Sequence, residues 1–140
     1  MTAITEPQIR EMIAVVNSRN VDKVMDQFAE DATFQTPNEE LPVQGRAAIR
    51  TVYSNAFAAF PDWTIEPKTI SVVGSEVLIV NSVHGTHDGP LTGAAGKSIP
   101  ATHRKFSQEQ MTRVVLNEKG KVQSLRAYGN PAELLRQLGL

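Results

Sequence analysis

The hydrophobic pattern changes near Pro61, and this change limits the fold to one in which helices and strands are segregated. Before Pro61, apolar residues recur at the three- and four-residue spacing of amphipathic helices. They form three sets: Ile9, Met12, Ile13 and Val16; Val21, Val24, Met25 and Phe28; and Ile49, Val52, Tyr53, Ala56, Phe57 and Phe60. After Pro61 the pattern is mostly that of strands. The order predicts two opening helices, a short extended segment, a third helix and then antiparallel strands, which is an α+β architecture.

Strands are predicted over residues 63–73, 77–83, 105–116 and 121–128. Pro67 is expected to interrupt the first of them. The turn at 117–120 joins the last two in a hairpin, and Asn130, followed by Pro131 and Glu133, predicts the start of a closing helix. Residues 89–102 are rich in glycine and proline and predict a long loop, interpreted as a mobile lid.

Composition excludes several classes of protein. The 140 residues are 41% hydrophobic, which fits one domain over 1–140, and the absence of cysteine excludes disulfides and thiolate chemistry. A formal charge of −1 with 6% aromatic residues disfavours nucleic-acid binding. There is neither a signal-peptide pattern at the start nor an apolar run of membrane length, so we expect a soluble, cytoplasmic protein without a membrane partner.

Polar and apolar residues are mixed along the predicted long strand. One face carries Phe106, Gln108, Gln110, Thr112, Val114 and Leu116. If the helices cover one face of a curved sheet, the space between is a conical pocket, and this strand face could point into it. Gln110 and Thr112 would then need partners, because burying an unpaired amide costs about 1–3 kcal/mol. A ligand or water is one partner; solvent or pairing across strands is the alternative.

Two histidines, His84 and His87, lie close together with Asp88. On a strand, residues three apart point to opposite faces, so we do not expect a metal site here. A neutral imidazole is a natural general base, and His87, beside the long loop, is the better candidate. The alternative is a surface or edge histidine without a chemical role.

Several phrases in one order carry a resemblance to a known family. They are Phe60-Pro61-Asp62, Gly85-Thr86-His87-Asp88-Gly89, Lys105-Phe106-Ser107-Gln108-Glu109-Gln110 and Leu134-Leu135-Arg136-Gln137-Leu138-Gly139. Together with the two opening helices, they resemble the SnoaL-like polyketide cyclases, a branch of the nuclear-transport-factor-2-like fold. The resemblance implies a cone-shaped half-barrel, in which helices pack on the concave face of a curved antiparallel sheet. It also implies a homodimer and a pocket for hydrophobic rings.

The same resemblance implies ring closure by intramolecular aldol addition, without a cofactor or metal and with an aspartate as base. Counting back from the shared ending puts Ala127 where that aspartate is expected. Thr112 likewise stands in place of a pocket histidine, whereas His87 and Gln110 match. A methyl group cannot accept a proton, so another base is needed if the chain is an enzyme.

Two functional hypotheses follow. The first is a cyclase-type enzyme that transfers a proton on a small apolar carbonyl compound without a cofactor. The residues predicted for it are His87 and Asp88 as catalytic groups, Gln110 and Thr112 as ligands of the substrate oxygen, and Trp63 and Phe106 as apolar walls. The second is a non-catalytic protein that binds an apolar ligand in the same pocket, as Ala127 suggests.

Overall fold

The computed structural model describes residues 3–92 and 97–140. Its helices are α1 (Glu6–Asn17), α2 (Val21–Met25), α3 (Arg46–Ala59) and α4 (Pro131–Gln137). Its strands are β1 (Phe28–Gln35), β2 (Val43–Gln44), β3 (Thr64–Val73), β4 (Glu76–Thr86), β5 (Leu91–Thr92), β6 (Ser98–Ile99), β7 (Lys105–Leu116) and β8 (Val122–Tyr128). In the described residues, no helix is long and apolar enough to span a membrane.

Capping side chains lie at the start of three helices, including the predicted cap Asn130 of α4. Thr5 accepts a hydrogen bond from the Gln8 N–H at the start of α1, and Asn20 accepts one from the Lys23 N–H in α2. Asn130 accepts hydrogen bonds from two N–H groups in the first turn of α4. Such caps satisfy backbone donors that have no partner inside a helix.

The main sheet has six strands in the order β2-β1-β8-β7-β4-β3. The predicted hairpin of β7 and β8 is confirmed, with Thr112 opposite Ala127 in its register. One pairing differs from the predicted antiparallel sheet, because β1 runs parallel to β8. This pairing places β1, from the N-terminal part of the chain, beside the last strand, β8.

Two local predictions differ from the structure. Pro67 does not interrupt β3; the strand continues past it, and its register with β4 shifts between Pro67 and Thr69. Since β3 is an edge strand, a missing N–H there need not break the sheet. The predicted loop before Gly45 contains the short strand β2, paired with β1. The predicted long loop contains the β5–β6 pair, and residues 93–96 of the predicted lid lie outside the described residues.

The sheet curves without closing, and the helices pack on its concave face, as in an α+β half-barrel. Alternation along β4 sends Val77, Ile79 and Val83 to this buried side. Ile9 and Ile13 of α1 and Ile49 of α3 belong to the buried core that the helices share with the sheet. The helices and the sheet thus form the two walls of a cavity.

Candidate ligand-binding cavity

A cavity of about 630 Å³ lies between the helices and the concave face of the sheet. Aromatic rings form two groups in its wall. The ring of Tyr53 in α3 lies 5.1 Å from that of Phe34 and 5.7 Å from that of Phe57, between ring centres. In the second group, the ring centre of Phe106 is 4.9 Å from that of Phe60 and 5.8 Å from that of Trp63. The cavity is therefore suited to a guest with substantial apolar surface.

A strip of uncharged polar side chains crosses the sheet side of the cavity. Gln108, Gln110 and Thr112 line it, because alternation along β7 points this face inward, as strand parity predicts. Gln110 donates to Gln108 across 3.0 Å, and Gln108 donates to the Asn130 carbonyl across 2.8 Å. These contacts satisfy part of the strip within the protein.

Asn81 belongs to the same strip, and sequence reasoning missed it. It lies opposite Gln110 in the register of β4 and β7 and is only 4% exposed. Its Oδ1 has no hydrogen-bond partner in the described part of the chain. A polar residue at a position of β4 that shares the buried face with Ile79 and Val83 was the available signal.

Ala127 also lines the cavity, in register with Thr112. The position where the resemblance implies an aspartate therefore faces the guest's space, but it presents a methyl group. A base at this point of the wall is missing.

The structure places His87 away from the cavity surface. Its side chain has no solvent-accessible area, and its ring centre lies 5.5 Å from that of Phe60. The Thr102 N–H donates to Nδ1 across 3.2 Å, so the neutral ring carries its proton on Nε2. Burial, reinforced by nearby His103, holds the pKa of His87 below its usual value. The imidazole is neutral at physiological pH, and it does not line the cavity in this conformation.

Asp88, the second predicted catalytic group, is exposed, and its Oδ1 lies 3.0 Å from Nδ1 of His103. Nε2 of His84 lies 3.2 Å from Oε1 of Glu66. His84 is on the face of β4 opposite to the buried positions. Trp63, Phe106, Gln110 and Thr112 thus meet at the cavity, whereas His87 and Asp88 lie outside its wall.

Of the described residues that line the cavity, two have side chains that titrate, Glu39 and Tyr53. Glu39 lies in the connection between β1 and β2, and burial raises the pKa of its carboxyl group. Burial also raises the pKa of the Tyr53 hydroxyl, which therefore stays protonated at neutral pH. Sequence reasoning missed both, because a loop carboxylate has no periodicity and Tyr53 fits the apolar stripe of α3.

An open α+β half-barrel with an apolar cavity between helices and sheet is the nuclear-transport-factor-2-like architecture, and known structures share it. AclR from Streptomyces galilaeus superposes with a TM-score of 0.77 at 24% identity, over 94% of this chain and 78% of that one. IdmH from Streptomyces antibioticus gives 0.74 at 22% identity, over 97% and 100% of the two chains. SalBIII, described as an epoxide hydrolase/cyclase-like enzyme in pyran ring formation, gives 0.74 at 23% identity over 89% of each chain. At these identities the likeness shows the fold alone.

The family of the protein is shown by a sequence match that covers nearly the whole chain. The model of the SnoaL-like polyketide cyclase family matches residues 8–138, which is nearly the whole chain. The protein belongs to the SnoaL-like polyketide cyclase family.

Proposed function

We propose that the protein is a cofactor-free, cyclase-type enzyme that binds a small, largely apolar carbonyl compound and transfers a proton on it. The observation that carries this proposal is the cavity itself, in which aromatic walls surround a strip of neutral hydrogen-bonding groups. Its volume of about 630 Å³ lies within the range of small-molecule sites. Apolar walls favour a hydrophobic skeleton, and a few polar groups orient it.

The polar strip supplies the groups that this chemistry needs at an oxygen atom. A hydroxyl such as that of Thr112, or an amide N–H of Gln110, can donate to a substrate carbonyl. As a base removes the hydrogen from the neighbouring carbon, the C–H electron pair moves into an enolate, and negative charge develops on that oxygen. Donors already placed there stabilise the charge more than they stabilise the neutral ketone.

The enolate carbon can then attack a second carbonyl of the same molecule, or it can take a proton back. In the first case a carbon–carbon bond closes a ring and the new alkoxide takes up the proton. In the second case a hydrogen is exchanged with solvent. Both sequences balance in atoms and electrons without an oxidant or reductant.

Ligand binding without catalysis is the second candidate, and Ala127 favours it because the wall presents a methyl group where the family resemblance implies a base. One probe separates the two functions. β-Tetralone is a cyclic ketone with acidic hydrogens beside its carbonyl. Binding raises the thermal unfolding temperature, whereas proton transfer appears as protein-dependent deuterium exchange in D₂O followed by NMR.

Thr112→Val tests the polar strip, because it removes a hydroxyl at nearly constant shape. We expect slower exchange and weaker stabilisation by β-tetralone. Thr69→Val is the matched control, since Thr69 lies exposed on the edge strand β3. Stabilisation without exchange in the unmodified protein would overturn proton transfer and leave ligand binding as the function. If no member of a series of cyclic ketones produced either stabilisation or exchange, the proposal would be overturned.

A homodimer, implied by the family resemblance, is part of the proposal. Large apolar side chains of the sheet are exposed at Leu78, Met111 and Tyr128. Met111 and Tyr128 lie opposite each other in register, which makes a continuous surface available to a second copy. Sedimentation equilibrium measures the association, and a monomer at high concentration would contradict it.

A further inference from the structure

We propose that Glu39 is the base that removes the proton from the bound carbonyl compound. The inference rests on the proposed proton-transfer function and names a catalytic residue for it. Within the described part of the cavity wall, Glu39 has the only carboxylate. The two positions that the sequence analysis considered for the base are unsuitable. Ala127 has no titrating group, and His87 has no accessible surface.

The Glu39 carboxylate is held in place by the end of β1 and the turn that follows. Oε2 accepts a hydrogen bond from the Thr36 N–H across 3.2 Å and a second from the Thr36 hydroxyl. The backbone of the turn is anchored as well, because the Gln35 amide donates to the carbonyls of Glu39 and Glu40 at 3.1 and 3.2 Å. A carboxylate that is already held in place loses less conformational entropy on reaching the reactive geometry than a carboxylate on an unrestrained loop.

The surroundings favour a stronger base than an exposed glutamate. Burial raises the pKa of Glu39, while hydrogen bonds from the backbone of Thr36 and of Glu39 itself act in the opposite direction. None of the ion pairs among the described residues involves Glu39. The second titrating side chain of the wall, Tyr53, stays protonated and can donate but not accept the proton. A carboxylate whose pKa approaches the working pH accepts a proton more effectively.

In the proposed step, one carboxylate oxygen of Glu39 takes the hydrogen beside the substrate carbonyl as a proton. The C–H bond breaks, an O–H bond forms on Glu39, and the electron pair passes into the enolate. In the ring-closing reaction, the protonated Glu39 returns its proton to the new alkoxide. In simple exchange, solvent deuterium replaces that proton before it returns to carbon.

The test compares β-tetralone exchange in Glu39→Gln, Glu39→Asp and the unmodified protein. Glu40→Gln is the matched control, because Glu40 is the neighbouring carboxylate, is exposed and lies outside the cavity lining. We expect Glu39→Gln to slow exchange by about a hundredfold or more, the usual contribution of a general base, while β-tetralone still raises the unfolding temperature. Glu39→Asp should keep part of the rate, and Glu40→Gln all of it.

Two further measurements separate catalysis from a structural role. Exchange by the unmodified protein should rise with pH through a pKa above that of an ordinary glutamate, and this rise should disappear in Glu39→Gln. Added acetate should restore part of the rate in Glu39→Ala. Exchange at the unmodified rate in Glu39→Gln would overturn the assignment of the base but leave the proposed function standing. Binding of β-tetralone without exchange in the unmodified protein would overturn both.

Discussion

Replacing His87 with asparagine tests the conclusion that this histidine is a neutral, buried part of the framework. The asparagine Oδ1 takes roughly the place of Nδ1, so the hydrogen bond from the Thr102 N–H can persist. The rest of the ring is lost, which leaves a void against Phe60. At a pH of about 7.5 we expect the free energy of unfolding to fall by about 1–3 kcal/mol, the range for removing part of a buried side chain.

The dependence of this loss on pH follows from the direction of the pKa shift. Burial and His103 lower the pKa of His87 in the folded protein, so the unfolded chain takes up a proton first as the pH falls. Stability contributed by the neutral ring is complete above the unfolded pKa of about 6.5 and decreases below it, down to the folded pKa. One titrating group contributes a slope of at most about 1.4 kcal/mol per pH unit. Asparagine removes this slope, so the difference between the two proteins should shrink in acid.

Urea unfolding followed by circular dichroism, at a series of pH values and constant salt, measures both effects. Parallel curves of stability against pH would refute a neutral, buried His87. If the His87→Asn protein folds and binds β-tetralone but no longer exchanges the hydrogens of this ligand, His87 takes part in catalysis.

Three further substitutions test the framework and the cavity. Gly89→Ala would place a Cβ 1.9 Å from the Ala58 carbonyl oxygen, and we expect a loss of more than about 2 kcal/mol in urea unfolding. Asn130→Ala removes the cap of α4 and should cost about 1 kcal/mol in the same assay, whereas Asn130→Asp should cost little. Ala127→Asp, combined with Glu39→Gln, places a carboxylate in the cavity wall and should restore part of the β-tetralone exchange. The apolar cavity should raise the pKa of the new aspartate, and the folded protein should lose about 1.4 kcal/mol of stability for each unit of that rise.

These three predictions fail in different ways. An unchanged stability of Gly89→Ala would mean that the two backbones separate easily at this contact. An unchanged stability of Asn130→Ala would mean that the first turn of α4 finds other acceptors. No recovery of exchange in the double variant would mean that position 127 is not near the reacting carbon.

Most of the secondary structure could be predicted from local patterns, since helical and strand periods and capping residues are properties of neighbouring residues. Parity along β7 also placed Gln110 and Thr112 on one face with Phe106 before the fold was known. The parallel pairing of β1 with β8 could not be predicted in this way, because it joins segments almost a hundred residues apart. Similarly, whether Pro67 interrupts its strand depends on whether that strand lies at the edge of the sheet.

The candidate site shows the same division. Trp63, Phe106, Gln110 and Thr112 were predicted from the sequence and lie in the wall, although their roles stay predictions. Glu39 was not named, because nothing in its local sequence distinguishes it from Glu40. Only the path of the turn after β1 brings one of these two carboxylates into the lining.

The order of helices and strands, the inward face of β7 and the family were therefore determined by the sequence itself. The tertiary structure decided which titrating groups reach the cavity: it enclosed His87 behind other side chains and brought Glu39 to the wall. The physical reason is that burial depends on everything packed around a side chain, whereas a sequence motif records only the residue and its neighbours along the chain.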